Sequence, residues 1–171
     1  MSKEIFDKLR GMIRRVSVKS IDDSGEMQTA TVEVADGIER KNVEVWQPYG
    51  LVGVPDTDGA ISLAIAIGGD EGDMWVLPPS NPSQRMGGLR KGDVGVANKA
   101  GDRVIVGADG KIAVKAAVEA DISVGGVSFK VDAAGVHVTG GGIWHDGVRI
   151  DKTHRHGAVV RGGEETDPPI E

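Results

Sequence analysis

The chain has 171 residues, 26 of them glycine, with no cysteine and an aromatic content of only 4 %. Its formal charge of −6 at pH 7 disfavours general binding to nucleic acid, which needs Lys and Arg to displace counterions from phosphates. With so few large side chains and no disulfide to staple a thin structure, a lone globule would be short of core, so self-association is expected.

At the N-terminus, Ile5, Phe6, Leu9, Met12 and Ile13 fall close to helical spacing and Ser2 is available as an N-cap, predicting one amphipathic helix over residues 1–14. Met1 to Asp7 lacks the apolar core of a signal peptide, and no run approaches transmembrane length, so a soluble chain is expected. Val16-Ser17-Val18, the turn Asp22-Asp23-Ser24-Gly25, and Ala30, Val32 and Val34 alternating with Thr31 and Glu33 carry a hairpin signature. After Asp36-Gly37 come Val43 to Trp46 and Ala60 to Ile67. The latter is a nearly continuous apolar run, the kind expected when both faces of a strand are covered. Residues Gly68 to Asp73 turn the chain into Met74 to Leu77. About five short strands within residues 15–90 suit a small closed barrel, with an OB-like topology as one choice among several.

Pro78-Pro79-Ser80-Asn81-Pro82 interrupts the pattern, because consecutive prolines fix the backbone and remove ladder donors. From Gly92 onward the chain becomes short β-type runs separated by glycine or aspartate turns. Their apolar members keep one parity: Val104 with Val106, Ile112 with Val114, Ile122 with Val124, Val127 with Phe129 and Val131, Val136 with Val138. Lys, Asp, Ser and His take the other, so each predicted strand has one wet face. Strands this short cannot enclose a core alone. Three chains wound together would stack their valines along an axis and leave no free edges, so residues 91–143 read as the shaft of an intertwined trimeric β-helix.

Residues 144–171 read as the apex. His145-Asp146-Gly147 makes a turn before Thr153-His154-Arg155-His156-Gly157. In an extended strand residues two apart share a face, so His154 and His156 point the same way, with Ile150 and Val148 on that parity and Lys152 as the exception. One chain offers a metal only these two imidazoles. Three copies offer six, which suits a first-row transition metal in octahedral geometry, iron or nickel rather than zinc. A filled shell leaves no position for substrate, which argues for a structural role. By itself the pair also fits surface histidines that bind nothing. His137 has the outward parity of its strand and reads as solvated, and His145 reads as a polar turn residue.

Two other classes compete. A mononuclear enzyme would use His154, His156 and a carboxylate such as Asp146 or Asp151, yet the nearest pocket-forming elements are glycine turns. A barrel for single-stranded nucleic acid would need stacking aromatics on a basic groove. Trp46, Tyr49 and Trp75 are available, but in an acidic chain they read as core and rim residues.

Leu89-Arg90-Lys91-Gly92-Asp93-Val94 leads into the repeats, and the run from Trp144 through His154-Arg155-His156-Gly157 is followed by Gly162-Gly163 and Pro168-Pro169. In these features, and in the order of its parts, the chain resembles over nearly its whole length the central baseplate spike of Mu-like contractile-tailed bacteriophages. The resemblance implies an OB-fold over 15–90 that joins the spike to the tail hub, a three-chain β-helix, and an apex where His154 and His156 of a homotrimer bind one iron ion. It leaves room for further ions on the threefold axis. It also implies a virion component assembled in the host cytoplasm, carried at the baseplate tip, and driven through the host outer membrane by sheath contraction. No enzymatic activity is implied, since no lysozyme-like insertion interrupts the chain. Arg155 stands where relatives often have a smaller polar residue, and its strand parity directs it away from the metal.

Overall fold

The computed structural model describes Ile5, residues 11–151 and Gly162, and the chain divides into two compact units, Met1–Ala117 and Val118–Glu171. The first unit opens with five strands: β1 (Ile13–Asp22), β2 (Thr29–Ala35), β3 (Ile38–Val45), β4 (Ile61–Ala66) and β5 (Met74–Val76). They close into a barrel in the order β1-β2-β3-β5-β4, with β4 returning to pair antiparallel with β1. Only β3 and β5 run parallel. This is the five-stranded closure of an OB-type barrel.

Alternation builds the barrel interior. Val16, Val18, Val32, Val45 and Val76 are fully buried, joined by Ala30, Val43, Ala60, Ala64, Ala66 and Met74. Register shifts at Val18/Ser20, Ala30/Val32 and Glu33/Ala35 are bulges, which add the bend that a small closed sheet needs. One end is tied by charge. The guanidinium of Arg14 donates to the Gly11 carbonyl at 3.1 Å and pairs with Glu71, whose other oxygen takes Arg40 at 3.1 Å. Both cations hold the Glu71 carboxyl below the ordinary glutamate range, Arg14 chiefly.

The predicted helix over 1–14 overlaps this barrel. Ile13 and Arg14 belong to β1, paired with Ile65 and Ala64, because the ladder to β4 claims them. Ile5 and Gly11 are helical, and the remainder of residues 1–10 lies outside the described residues.

Beyond the prolines, β6 (Val94–Ala97), β7 (Arg103–Val106) and β8 (Ile112–Lys115) form an antiparallel meander within the same unit. Asp56, in the loop before β4, receives both Lys99 and the Gln84 amide, fastening the meander to the barrel. The first unit therefore runs past Arg90 as far as Ala117. Asp93 organises the entry to the meander. Its carboxylate, 5 % exposed, accepts the Ala108 amide at 2.8 Å, the Arg90 amide at 2.9 Å and the Arg90 guanidinium at 3.1 Å. These donors, the guanidinium first, hold its pKa down at about 2.

In the second unit, β9 (Glu119–Val124), β10 (Val127–Asp132) and β11 (Gly135–Thr139) form a second meander, and β12 (Ile143–His145) pairs with β13 (Val148–Ile150). The last hairpin turns on Asp146 and Gly147 alone, at φ 49° and 81°. Positive φ at both central residues is the type I′ turn that matches strand twist, and Asp-Gly is its favoured sequence.

Candidate functional site

The three small sheets after the barrel share one property. In β6–β8 the register places Val94, Val106 and Ile112 in one row and Val96, Val104 and Val114 in another, all on one face. In β9–β11 the rows are Val124 with Val127, Ile122 with Phe129 and Val138, and Ala120 with Val131 and Val136. In β12–β13, Ile143 lies opposite Ile150. None of the described residues buries these faces: after Asn81, none of them is buried. Phe129 is the largest, at 45 % exposed.

The opposite face of β9–β11 is polar and internally paired. Lys130 meets Asp132 at 3.0 Å and Glu119 at 3.5 Å, and His137 Nε2 lies 3.1 Å from Asp132. Ser128 and Thr139 share a hydrogen bond of 2.7 Å. Lys130, foremost, and the Ala134 amide hold the Asp132 carboxyl well below the usual carboxylate range. A sheet with its charges neutralised on one side and its branched apolar side chains bare on the other is built to be covered on the bare side.

The predicted ligands His154 and His156 lie outside the described residues, as do Lys152 and Arg155. Of the other histidines, His137 has the outward parity expected of it and bonds Asp132. His145 sits at the β12–β13 tip, its side chain 78 % exposed and 3.6 Å from Asp146. Of the carboxylates weighed for an enzyme, Asp146 projects from that tip, whereas Asp151 is engaged by Arg149 at 2.6 Å. Arg149 also lies over the Trp144 ring, 5.5 Å from its centroid. Among the described residues, no three His, Asp or Glu side chains converge to hold a metal.

Of the core and rim positions expected for the aromatic residues, only the rim reading holds. Trp46, Tyr49 and Trp75 are not core. Trp75 lies between the inward Met74 and Val76 and so points out of the barrel, Trp46 is half-exposed, and Tyr49 stands wholly in solvent. The run in β4 likewise has one covered face, that of Ser62, Ala64 and Ala66, while Leu63 is 43 % exposed on the other. The Arg14–Glu71–Arg40 bridge and the Asp93 cradle escaped the sequence reading, since their members lie far apart in the chain or look like ordinary turn residues.

A closed OB-type barrel followed by short antiparallel meanders defines an all-β, modular protein class, in which the barrel is the only part with its own interior among the described residues. The barrel has a family: residues 15–83 match the family model described as Bacteriophage Mu Gp45, N-terminal. The match covers less than half of the chain and supports a Mu-like baseplate spike assignment through this domain. The matched domain supports a structural protein of the phage baseplate, with a virion tail location and contacts to other tail proteins as what that family implies. No curated protein matches the chain.

Proposed function

We propose that the chain is the piercing spike of a contractile tail, acting as a homotrimer whose meanders share one interior. The observation that carries this reading is the set of bare apolar faces on β6–β8, β9–β11 and β12–β13, with no buried residue after Asn81 among those described. Three copies facing one axis would remove those faces from water together and leave the paired charges of β9–β11 outside. A closed prism of this kind satisfies its own backbone hydrogen bonds, so it enters an apolar layer without unfolding. Its polar exterior favours passage through the host outer membrane over a lasting span. The barrel, with a core of its own, is the natural attachment to the tail hub. Assembly takes place in the host cytoplasm before release.

At the narrow end, His154 and His156 of three copies would hold one iron ion, and the chemistry supplied there is cross-linking of three chain ends with no open coordination position. Six imidazoles, two from each chain separated by one residue in sequence, are a donor set suited to that role. The experiment combines sedimentation with elemental analysis on one sample. The full chain is expected to sediment as a trimer with one iron per three chains, and the double variant His154→Ala/His156→Ala to lose the metal while its barrel stays folded. A monomer at micromolar concentration refutes the shared interior, and unchanged iron in the double variant places the ligands elsewhere.

A further inference from the structure

Among the described residues the barrel wall carries a second uncovered apolar surface, distinct from the meander faces. In β4 the usual size order is inverted: the small Ser62, Ala64 and Ala66 face inward, and Ile61, Leu63 and Ile65 face out. The ladder extends this face sideways, with Ile13 opposite Ile65 and Ile65 opposite Trp75. Arg15, opposite Leu63, stands at its margin with no hydrogen-bond or ion-pair partner among the described residues. The other wall has the opposite character. There Thr29 lies beside Glu44 and Glu33 beside Glu39, with Lys19 bound to Glu33 at 2.6 Å. A closed barrel in water needs no apolar exterior, so the β1–β4–β5 wall is shaped to be covered.

The same domain presents a matching projection. Between β3 and β4 the chain forms a loop whose Tyr49, Leu51, Val52 and Val54 are all exposed. Its foot is rigid: the buried Asn81 amide donates to the carbonyls of Asp56 at 3.0 Å and Asp58 at 2.8 Å. The Asp58 carboxylate beside that foot is exposed and without a partner among the described residues. An apolar wall edged by an unpaired cation and an apolar loop flanked by an unpaired anion are complementary in polarity and charge.

We infer that the β3–β4 loop of one copy seats on the β1–β4–β5 wall of the next, with Asp58 meeting the neighbour's Arg15, so that the barrels form a head-to-tail ring of their own. Two different surfaces on one chain make a heterologous contact, and a ring of such contacts uses every patch when the rotation closes. The inference rests on the reading that three copies gather, and it adds a contact that a shared shaft interior does not require.

The absence of native cysteine makes the test clean. Chains bearing Val52→Cys and chains bearing Leu63→Cys, distinguished by tags of different length, are co-expressed at full length and treated with a short bismaleimide. Mixed covalent pairs are expected, with each variant alone giving none. Arg15→Glu is expected to cut the yield of mixed pairs several-fold, and Asp58→Arg in the partner chain to restore it. A trimer by sedimentation that gives no mixed pairs overturns the barrel contact while sparing the shared shaft; the wall is then covered by a tail-hub protein or by this chain's own first ten residues. Pairs formed by Leu63→Cys alone overturn it as well, since like walls would then face each other. A monomer overturns both readings.

Discussion

Truncating Phe129 to alanine separates a shared interior from a free-standing sheet. The ring lies between Ile122 and Val138 at the centre of the β9–β11 apolar face and is 45 % exposed in one chain. Full burial of a phenylalanine side chain contributes about 1.5–3 kcal/mol, so the uncovered fraction corresponds to roughly 0.7–1.4 kcal/mol that only neighbouring copies can supply. Three copies lose roughly 2–4 kcal/mol of association free energy, which at the usual conversion raises the dissociation constant about 30- to 700-fold. Sedimentation across a dilution series reads this directly, with Lys130→Ala as the control. Lys130 lies on the opposite face with both of its partners in its own chain, so its loss leaves association unchanged. If Phe129→Ala chains associate as tightly as the parent, or if Lys130→Ala weakens association as much, the apolar face is not the shared one.

Asp93, with its pKa at about 2 in the folded chain against an ordinary 3.8, contributes stability that is fully present above about pH 4 and lost as pH falls through about 2. The Ala108 amide proton, bonded to it, is expected to shift in an NMR titration with a midpoint near that lower value; a midpoint at the ordinary carboxylate value refutes the cradle, and Asp93→Asn abolishes the transition. Gly140→Ala is expected to cost more than about 2 kcal/mol in thermal unfolding, because its Cβ would lie 1.8 Å from the Gly126 carbonyl oxygen at φ +69°. Gly110→Ala, at φ +80° with nothing within 4 Å, bears only the backbone strain of about 1–2 kcal/mol, and equal losses at the two sites would contradict the steric account. Asp146→Ala replaces a residue at φ 49° in the two-residue turn and is expected to destabilise the β12–β13 hairpin by about 1 kcal/mol, seen as faster amide exchange at Val148; unchanged exchange would show that the strands hold the turn without it.

Strand parity made most of the β architecture legible before any coordinates. Val104 with Val106, and Val127 with Phe129 and Val131, share faces as expected, because alternation is local and a one-residue slip would invert it. Barrel closure was legible only as a count of strands. The pairings that define its topology, Glu44 with Trp75 and Arg15 with Leu63, join residues with no local signature in common. The β4 run shows the limit most clearly: its apolar continuity called for two covered faces, yet nothing in Ile61 to Ala66 says whether the second cover comes from the same chain. For Trp46, Tyr49 and Trp75, read as core and rim residues, the rim half of the reading suits the partly exposed Trp46 and Trp75, while Tyr49 is wholly exposed because it lies in the β3–β4 loop. His154 and His156 are legible in the sequence only as a motif, and both lie outside the described residues.

The barrel interior has one further consequence. It is filled almost wholly by valine and alanine, with Met74, the inward Ser62 and the partly buried Ile21 as exceptions, and no aromatic ring is among its buried residues. Alanine has no side-chain torsion to turn, and valine strongly prefers a single rotamer on a crowded backbone. Compressed end to end, such an interior has almost no soft internal coordinate in which to store or dissipate work, so thrust delivered at one rim arrives at the other as displacement of the hydrogen-bonded wall itself.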